Sequence, residues 1–188
     1  MRMSTRLLLF LSLAGFLSSA EAANIPPPLK LPIPFESAWR GMLETLKDPK
    51  DEWPIIREER IRGLVLTQYR EYSSGPLTED HIPKIGEKPK LADADWISVE
   101  YQYEVEIQMV EAKETIVTVH TNIKAKKRDF LGREEWVKID SNGSREAALL
   151  TKFGQLLFGD DFKLDQDKPG LRGFFEGDKP KYSDPNPP

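Results

Sequence analysis

From Trp96 to Met109 the chain reads WISVEYQYEVEIQM, in which Ile97, Val99, Tyr101, Tyr103, Val105, Ile107 and Met109 fill every odd-numbered position with an apolar or aromatic side chain. Most of the even-numbered positions are Glu or Gln. A period of two predicts a long strand with one face buried and one wet. Its partner is ETIVTVHTNIKAKK, residues 114–127, where Val117, Val119, Thr121, Ile123 and Ala125 share a face. A reversal near Glu111 to Lys113 pairs the two antiparallel and sets Glu100, Glu104 and Glu106 opposite or diagonal to Lys126, Lys124, Asn122, His120 and Thr118. Cross-strand ion pairs contribute roughly 0.2 to 1 kcal/mol each. Burial of one large apolar side chain contributes roughly 1.5 to 3 kcal/mol before entropy is counted. The apolar face therefore sets the register, and the carboxylates are a solvated ladder.

Other patterns complete a single fold. FESAWRGMLETLK places Phe35, Trp39, Met42, Leu43 and Leu46 on one helical stripe that ends at Asp48-Pro49, and Gly41 beside Ala38 allows a close approach to another element. WPIIREER and GLVLTQYREY read as a hairpin turning at Ile61-Arg62-Gly63. EEWVKID is a short last strand. In SNGSREAALLTKFGQLLF, Ser144 reads as an N-cap, Glu146 as a first-turn complement to the helix dipole, and Leu149, Leu150, Phe153, Leu156, Leu157 and Phe158 as the inward face. The expectation is an α+β domain with an antiparallel sheet of four to five strands and two helices packed on one face, in the order α-β-β-β-β-α.

The flanks carry ten of the fifteen prolines. IPPPLKLPIP, within a Pro-rich linker over residues 23–34, reads as an extended spacer, and the polar, Pro- and Gly-rich residues 159–188 read as a largely disordered tail. The folded domain is expected over 35–158, a length sufficient for one hydrophobic core. Arg2 and Arg6 precede the apolar run LLLFLSLAGFL, which leads to Ala20-Glu21-Ala22, the pattern of a signal peptide over residues 1–22. The run is shorter than the roughly 20 apolar residues of a transmembrane helix. The expectation is an exported protein, periplasmic or secreted and soluble. Leu13-Ala14-Gly15-Phe16 has the shape of a lipoprotein box with Phe16 at the position of the acylated thiol, and the chain has no cysteine at all. Disulfides, thiolate metal sites and thiol nucleophiles are thereby excluded. Removing residues 1–22 takes away Arg2, Arg6 and Glu21 and leaves 25 basic against 30 acidic side chains, a balance unlike that of a nucleic-acid binder.

Candidate chemistry is sparse. The chain has two histidines. His120 falls on the wet strand face near Glu104 and Glu106, and His81 follows Glu79 and Asp80 in the long insertion of residues 73–95. Three or four converging metal ligands are not apparent, so no metal or cofactor is expected. No G-x-S-x-G, G-x-G-x-x-G or P-loop pattern occurs, and no catalytic residue is assigned. A hydrolase built on His81 or His120 with nearby carboxylates is the third-ranked reading. Asn142-Gly143-Ser144 fits a glycosylation acceptor but reads first as a turn and cap. Lys124-Ala125-Lys126-Lys127-Arg128 reads as a solvated strand end, with contact to anionic lipid head groups as its functional alternative. In the tail, LRGFFEG holds the adjacent aromatics Phe174 and Phe175, a docking candidate for a partner or for the chain's own sheet.

The element order, with FESAWRGMLETL as leading helix, RGLVLTQY as a glycine-started second strand, a long hairpin and REAALLTKFGQLL as closing helix, resembles the helix-grip domains of BamC and related small envelope proteins. BamC is an accessory lipoprotein of the bacterial outer-membrane β-barrel assembly machinery. The resemblance spans 35–158; this chain differs in Phe16 for the lipidated cysteine and in having one domain rather than two. It implies a noncatalytic protein-interaction or assembly module with an envelope protein as partner. The alternative is a carrier for a lipid or other apolar ligand, held in a cavity lined by Trp39, Tyr101, Tyr103 and Phe153.

Overall fold

A computed structural model of the chain describes residues 25–90 and 95–164. The expected signal peptide over residues 1–22 and the LRGFFEG segment lie outside the described residues. The long alternating segment is β6 (Asp95–Glu111), and it pairs antiparallel with β7 (Glu114–Arg128) along nearly its whole length. Glu100 faces Lys124, Gln102 faces Asn122, Glu104 faces His120 and Glu106 faces Thr118. The ladder is joined by a Lys124–Glu100 ion pair at 3.1 Å and by Asn122 Nδ2 donating to Glu104 at 3.1 Å. On the other face Val99, Tyr101, Tyr103, Val105 and Ile107 are buried with Val117, Val119, Ile123 and Ala125. Burial departs from the strict alternation at both ends of β6. A register shift between Trp96 and Ser98 turns Trp96 inward and leaves Ile97 half-buried. At the other end, Met109 stays in register opposite Thr115 but is exposed rather than buried as its position in the alternation predicts.

Among the described residues the sheet has eight strands, not the four to five expected: β2 (Ile55–Glu59), β3 (Leu64–Thr67), β6, β7, β8 (Glu134–Ser141) and β5 (Gly86–Glu87) in that order, with β4 (Arg70–Ser74) also on β6 and β1 (Leu29–Leu31) also on β7. Three causes account for the difference. The Pro-rich flank contributes β1 (Leu29–Leu31), paired with Thr115 to Val117, because Leu29, Leu31 and Ile33 alternate and bury their side chains. The expected second strand is divided into β3 (Leu64–Thr67) and β4 (Arg70–Ser74), which follow one another along the same edge of β6. At the break the buried Thr67 hydroxyl accepts from the Tyr103 backbone N–H at 2.9 Å. Finally, the insertion is not a bare loop: it holds the short helix α2 (Thr78–His81), a 3-10 turn over Ile82–Lys84, and β5 (Gly86–Glu87) against β8 (Glu134–Ser141). Ile82 and Ile85 are fully buried there, apolar anchors that a polar stretch conceals. The remaining edge strand is β2 (Ile55–Glu59), with a bulge and three consecutive charged residues that blunt the edge.

Two long helices, α1 (Phe35–Leu46) and α3 (Ser144–Phe158), pack on the apolar face of the sheet. Ala38, Trp39, Met42 and Leu46 of α1 are buried with Leu149, Leu150, Phe153 and Leu157 of α3, while Leu156 and Phe158 are only half-buried. The helices meet at Gly41, where a Cβ would stand 2.9 Å from Leu157 Cδ2. Apolar packing continues past Phe158 into the segment expected to be disordered: the buried Phe162 ring lies on Gly154 of α3. The start of α3 also departs from expectation. Ser144 is the first helical residue rather than the cap, and its N–H is accepted by Asn142 Oδ1 at 3.1 Å while its hydroxyl donates to the Lys84 carbonyl at 2.9 Å. Glu146 does not sit in solvent. Its carboxylate is buried and accepts from the Thr121 backbone N–H at 3.0 Å and the Ser141 hydroxyl at 2.8 Å.

Candidate functional site

The short connection from β2 to β3 dictates one pole of the molecule. Arg60–Arg62 form a 3-10 turn closed by Gly63, whose φ of +66° is left-handed and whose missing Cβ would lie 1.9 Å from the Ile107 carbonyl oxygen. Gly63 O accepts from Ile107 N at 2.7 Å, so the turn is strapped flat to β6. The chain can thus bring its turn backbone against the sheet only by projecting Ile61 outward, and Ile61 is fully exposed. Met109, 66% exposed, and Val110 stand on the end of the same long hairpin.

Between these features and the start of α1 lies an open groove of about 720 Å³, whose apolar wall is Phe35, Ile61, Ile107 and Met109. Its volume is that of a ligand or side-chain site rather than a packing defect. Arg60 and Arg62 stand on its rim. Arg60 pairs with Glu36 at 2.6 Å and Arg62 with Glu59 at 3.2 Å, and the side chains of both arginines are largely exposed. The hydrogen bond from Arg60 to Glu36 raises the guanidinium's pKa further, and the Arg57 hydrogen bond holds Glu59 below the usual carboxylate range. Both shifts favour the charged forms of Arg60 and Glu59, so the rim presents paired charges beside the apolar wall.

The residues singled out from the sequence lie elsewhere. His120 is exposed and faces Glu104 across the ladder. Among the described residues no group of three or more His, Asp or Glu side chains could hold a metal ion. His81 is brought to Ser73, with Nδ1 and Oγ 2.7 Å apart, a contact between β4 and α2 that the sequence does not announce. A Ser-His contact of this kind needs a carboxylate to orient the imidazole and donors for an oxyanion. Glu79, just before it, pairs instead with Lys88. The contact pins α2 to β4. Asn142, the glycosylation candidate, donates through Nδ2 to the Pro83 carbonyl at 2.9 Å and so also ties the insertion down.

The four residues proposed to line a carrier cavity are all buried in the common core. Trp53 fills the space beside two of them, with ring centroids 5.0 Å from Tyr101 and 4.7 Å from Tyr103. Arg145 lies 4.4 Å over Tyr72 and 5.0 Å over Tyr101, and Arg70 lies 4.5 Å over Trp53, so the aromatic cluster is sealed by two cations. Burial raises the pKa of both Tyr101 and Tyr103.

In the basic run, Lys124 pairs with Glu100, Lys126 and Arg128 with Glu134, and Lys127 with Glu135. The groove itself was not anticipated. Its one sequence signal is an isoleucine held between two arginines immediately before a glycine, a composition that a buried turn would not tolerate. No family model, curated protein or solved structure matches the chain. Among the described residues no helix is long and apolar enough to cross a membrane.

Proposed function

We propose that the chain is a noncatalytic interaction module of the bacterial envelope, of the BamC-like helix-grip kind, that holds a partner protein at the Phe35–Ile61–Met109 groove. The observation that carries this reading is an apolar groove rimmed by exposed arginines at one end of the long hairpin. Its favoured occupant is an apolar side chain flanked by carboxylates on a partner: the hydrophobic wall takes the first and the outward guanidiniums of Arg60 and Arg62 attract the second. The N-terminal pattern of an export signal supports placement in the envelope.

The test is photocrosslinking in cells from residues 61 and 109, with residue 138 as a control on the outer sheet face. One discrete envelope protein attached at both groove positions and not at 138, and lost in Ile61→Asp and Met109→Asp variants of unchanged melting temperature, is the expected result. Equal labelling from all three positions refutes the groove. Attachment of residues 171–177 of the chain itself would replace the partner by an internal occupant.

A further inference from the structure

The opposite pole of the long hairpin is built differently. The turn from β7 to β8 is convex, and Phe130, 87% exposed, and Leu131, 62% exposed, stand at its apex. Two adjacent large apolar residues pointing into water at a tip have no core to join. They are nevertheless held in place. Asp129 Oδ1 accepts from the Leu131 and Arg133 backbone N–H groups at 2.8 and 2.9 Å, and Oδ2 accepts from Arg133 Nε at 2.7 Å. The Arg133 backbone bond leads in holding the Asp129 carboxyl below the usual carboxylate range, so the turn stays closed at neutral pH.

The charges are arranged by direction. The Asp129 side chain is 26% exposed and faces into the turn, whereas its partner Arg133 is 75% exposed and faces out. Arg128 on the other flank is more exposed than its partner Glu134. Glu135, the most exposed acid in these pairs, is one position further along β8, and Asp95 faces Arg128 across the ladder. Further up β8, Trp136 is also partly exposed. An apolar knob can also enter a partner's pocket, but the groups around this one are ordered differently. A convex apolar pair with outward guanidiniums beside it and an indole set back from it instead matches the layering of a lipid surface: acyl boundary, head-group phosphates, interface.

We propose that the Phe130–Leu131 turn is a lipid-surface contact, inserting its two apolar side chains below the head groups while Arg128 and Arg133 engage phosphates. Two side chains support only weak, reversible attachment. The β7 strand, at about 3.3 Å per residue, would then hold the other pole roughly 50 Å from the bilayer. This proposal is independent of the occupant of the groove.

The test uses the exported protein purified from cells, with flotation on vesicles of 3:1 phosphatidylethanolamine and phosphatidylglycerol. Because the chain has no cysteine, Phe130→Cys carries a single environment-sensitive label. The expected result is a blue shift of that label on vesicles, at least a tenfold weaker partition for the unlabelled Phe130→Ser/Leu131→Ser variant, and a smaller, salt-dependent loss for Arg128→Glu/Arg133→Glu. All of these side chains lie on the surface, and an unchanged melting temperature verifies folding. No binding at millimolar lipid, or binding that the double serine variant leaves intact, overturns the proposal. The shift must require vesicles: an equal blue shift without lipid reports contact between copies of the chain and overturns the proposal.

Discussion

Glu146 illustrates how one residue carries a role that its local sequence does not announce. An acid in the first turn of a helix ordinarily complements the dipole from solvent. Here β7 is flanked by β1 at Thr115 to Val117 and by β8 from Ile123 onward, and the Glu146 carboxylate enters between them to accept the Thr121 N–H and the Ser141 hydroxyl. Glu146→Ala strands both donors in the core and is expected to destabilise the protein by roughly 2 to 4 kcal/mol, since each buried unsatisfied group costs about 1 to 3 kcal/mol. Glu146→Gln keeps an acceptor and should lose less. Urea denaturation of the two variants measures the difference, and equal losses would show that charge, not acceptance, matters.

Among the elements, the helix pair depends on a small residue where bulk would ordinarily be favoured. Gly41 lets α1 approach α3 until the space of a Cβ is claimed by Leu157 at 2.9 Å and Phe153 at 3.3 Å. In Gly41→Ala, a helix-propensity gain of about 1 kcal/mol is set against crowding of a flexible leucine end, and stability should change little. Gly41→Val adds branched volume to a filled site and is expected to cost about 1 to 3 kcal/mol, read as a lowered urea midpoint with an unchanged slope. The helices, the hairpin pairing and the smallness of Gly41 were all legible, because amphipathic periods and charge complementarity are local. The added strands were not. The division of β3 from β4 rests on Thr67 reaching the Tyr103 backbone, 36 residues away, and β1 exists only because a distant edge of β7 accepts it.

At the scale of the whole molecule, the aromatic cluster ties stability to alkaline pH. Tyr101 and Tyr103 have pKa values raised first of all by burial, so the folded state keeps their protons where the unfolded chain loses them. Their contribution is fully present below the unfolded tyrosine value of about 10 and declines as pH rises above it, because the unfolded state then binds fewer protons. Thermal melts from pH 8 to 11 should show a falling midpoint above about pH 10, and phenolate absorbance from the two buried rings should appear only with unfolding. Ionisation of all five tyrosines in a still-folded protein would contradict this account. The poles are a property of this scale too: the same long hairpin places Met109 at one end and the β7–β8 turn at the other.

Sequence alone determined the buried and wet faces of the hairpin and the two long helices, since each follows from side-chain chemistry repeated at the period of one element. Tertiary structure decided the eight-strand count, the pairing of His81 with Ser73, the burial of Glu146 and the groove beside Ile61. Those depend on which distant backbone supplies a partner or withholds one, and a turn residue becomes part of a surface only once Gly63 has been pressed against Ile107.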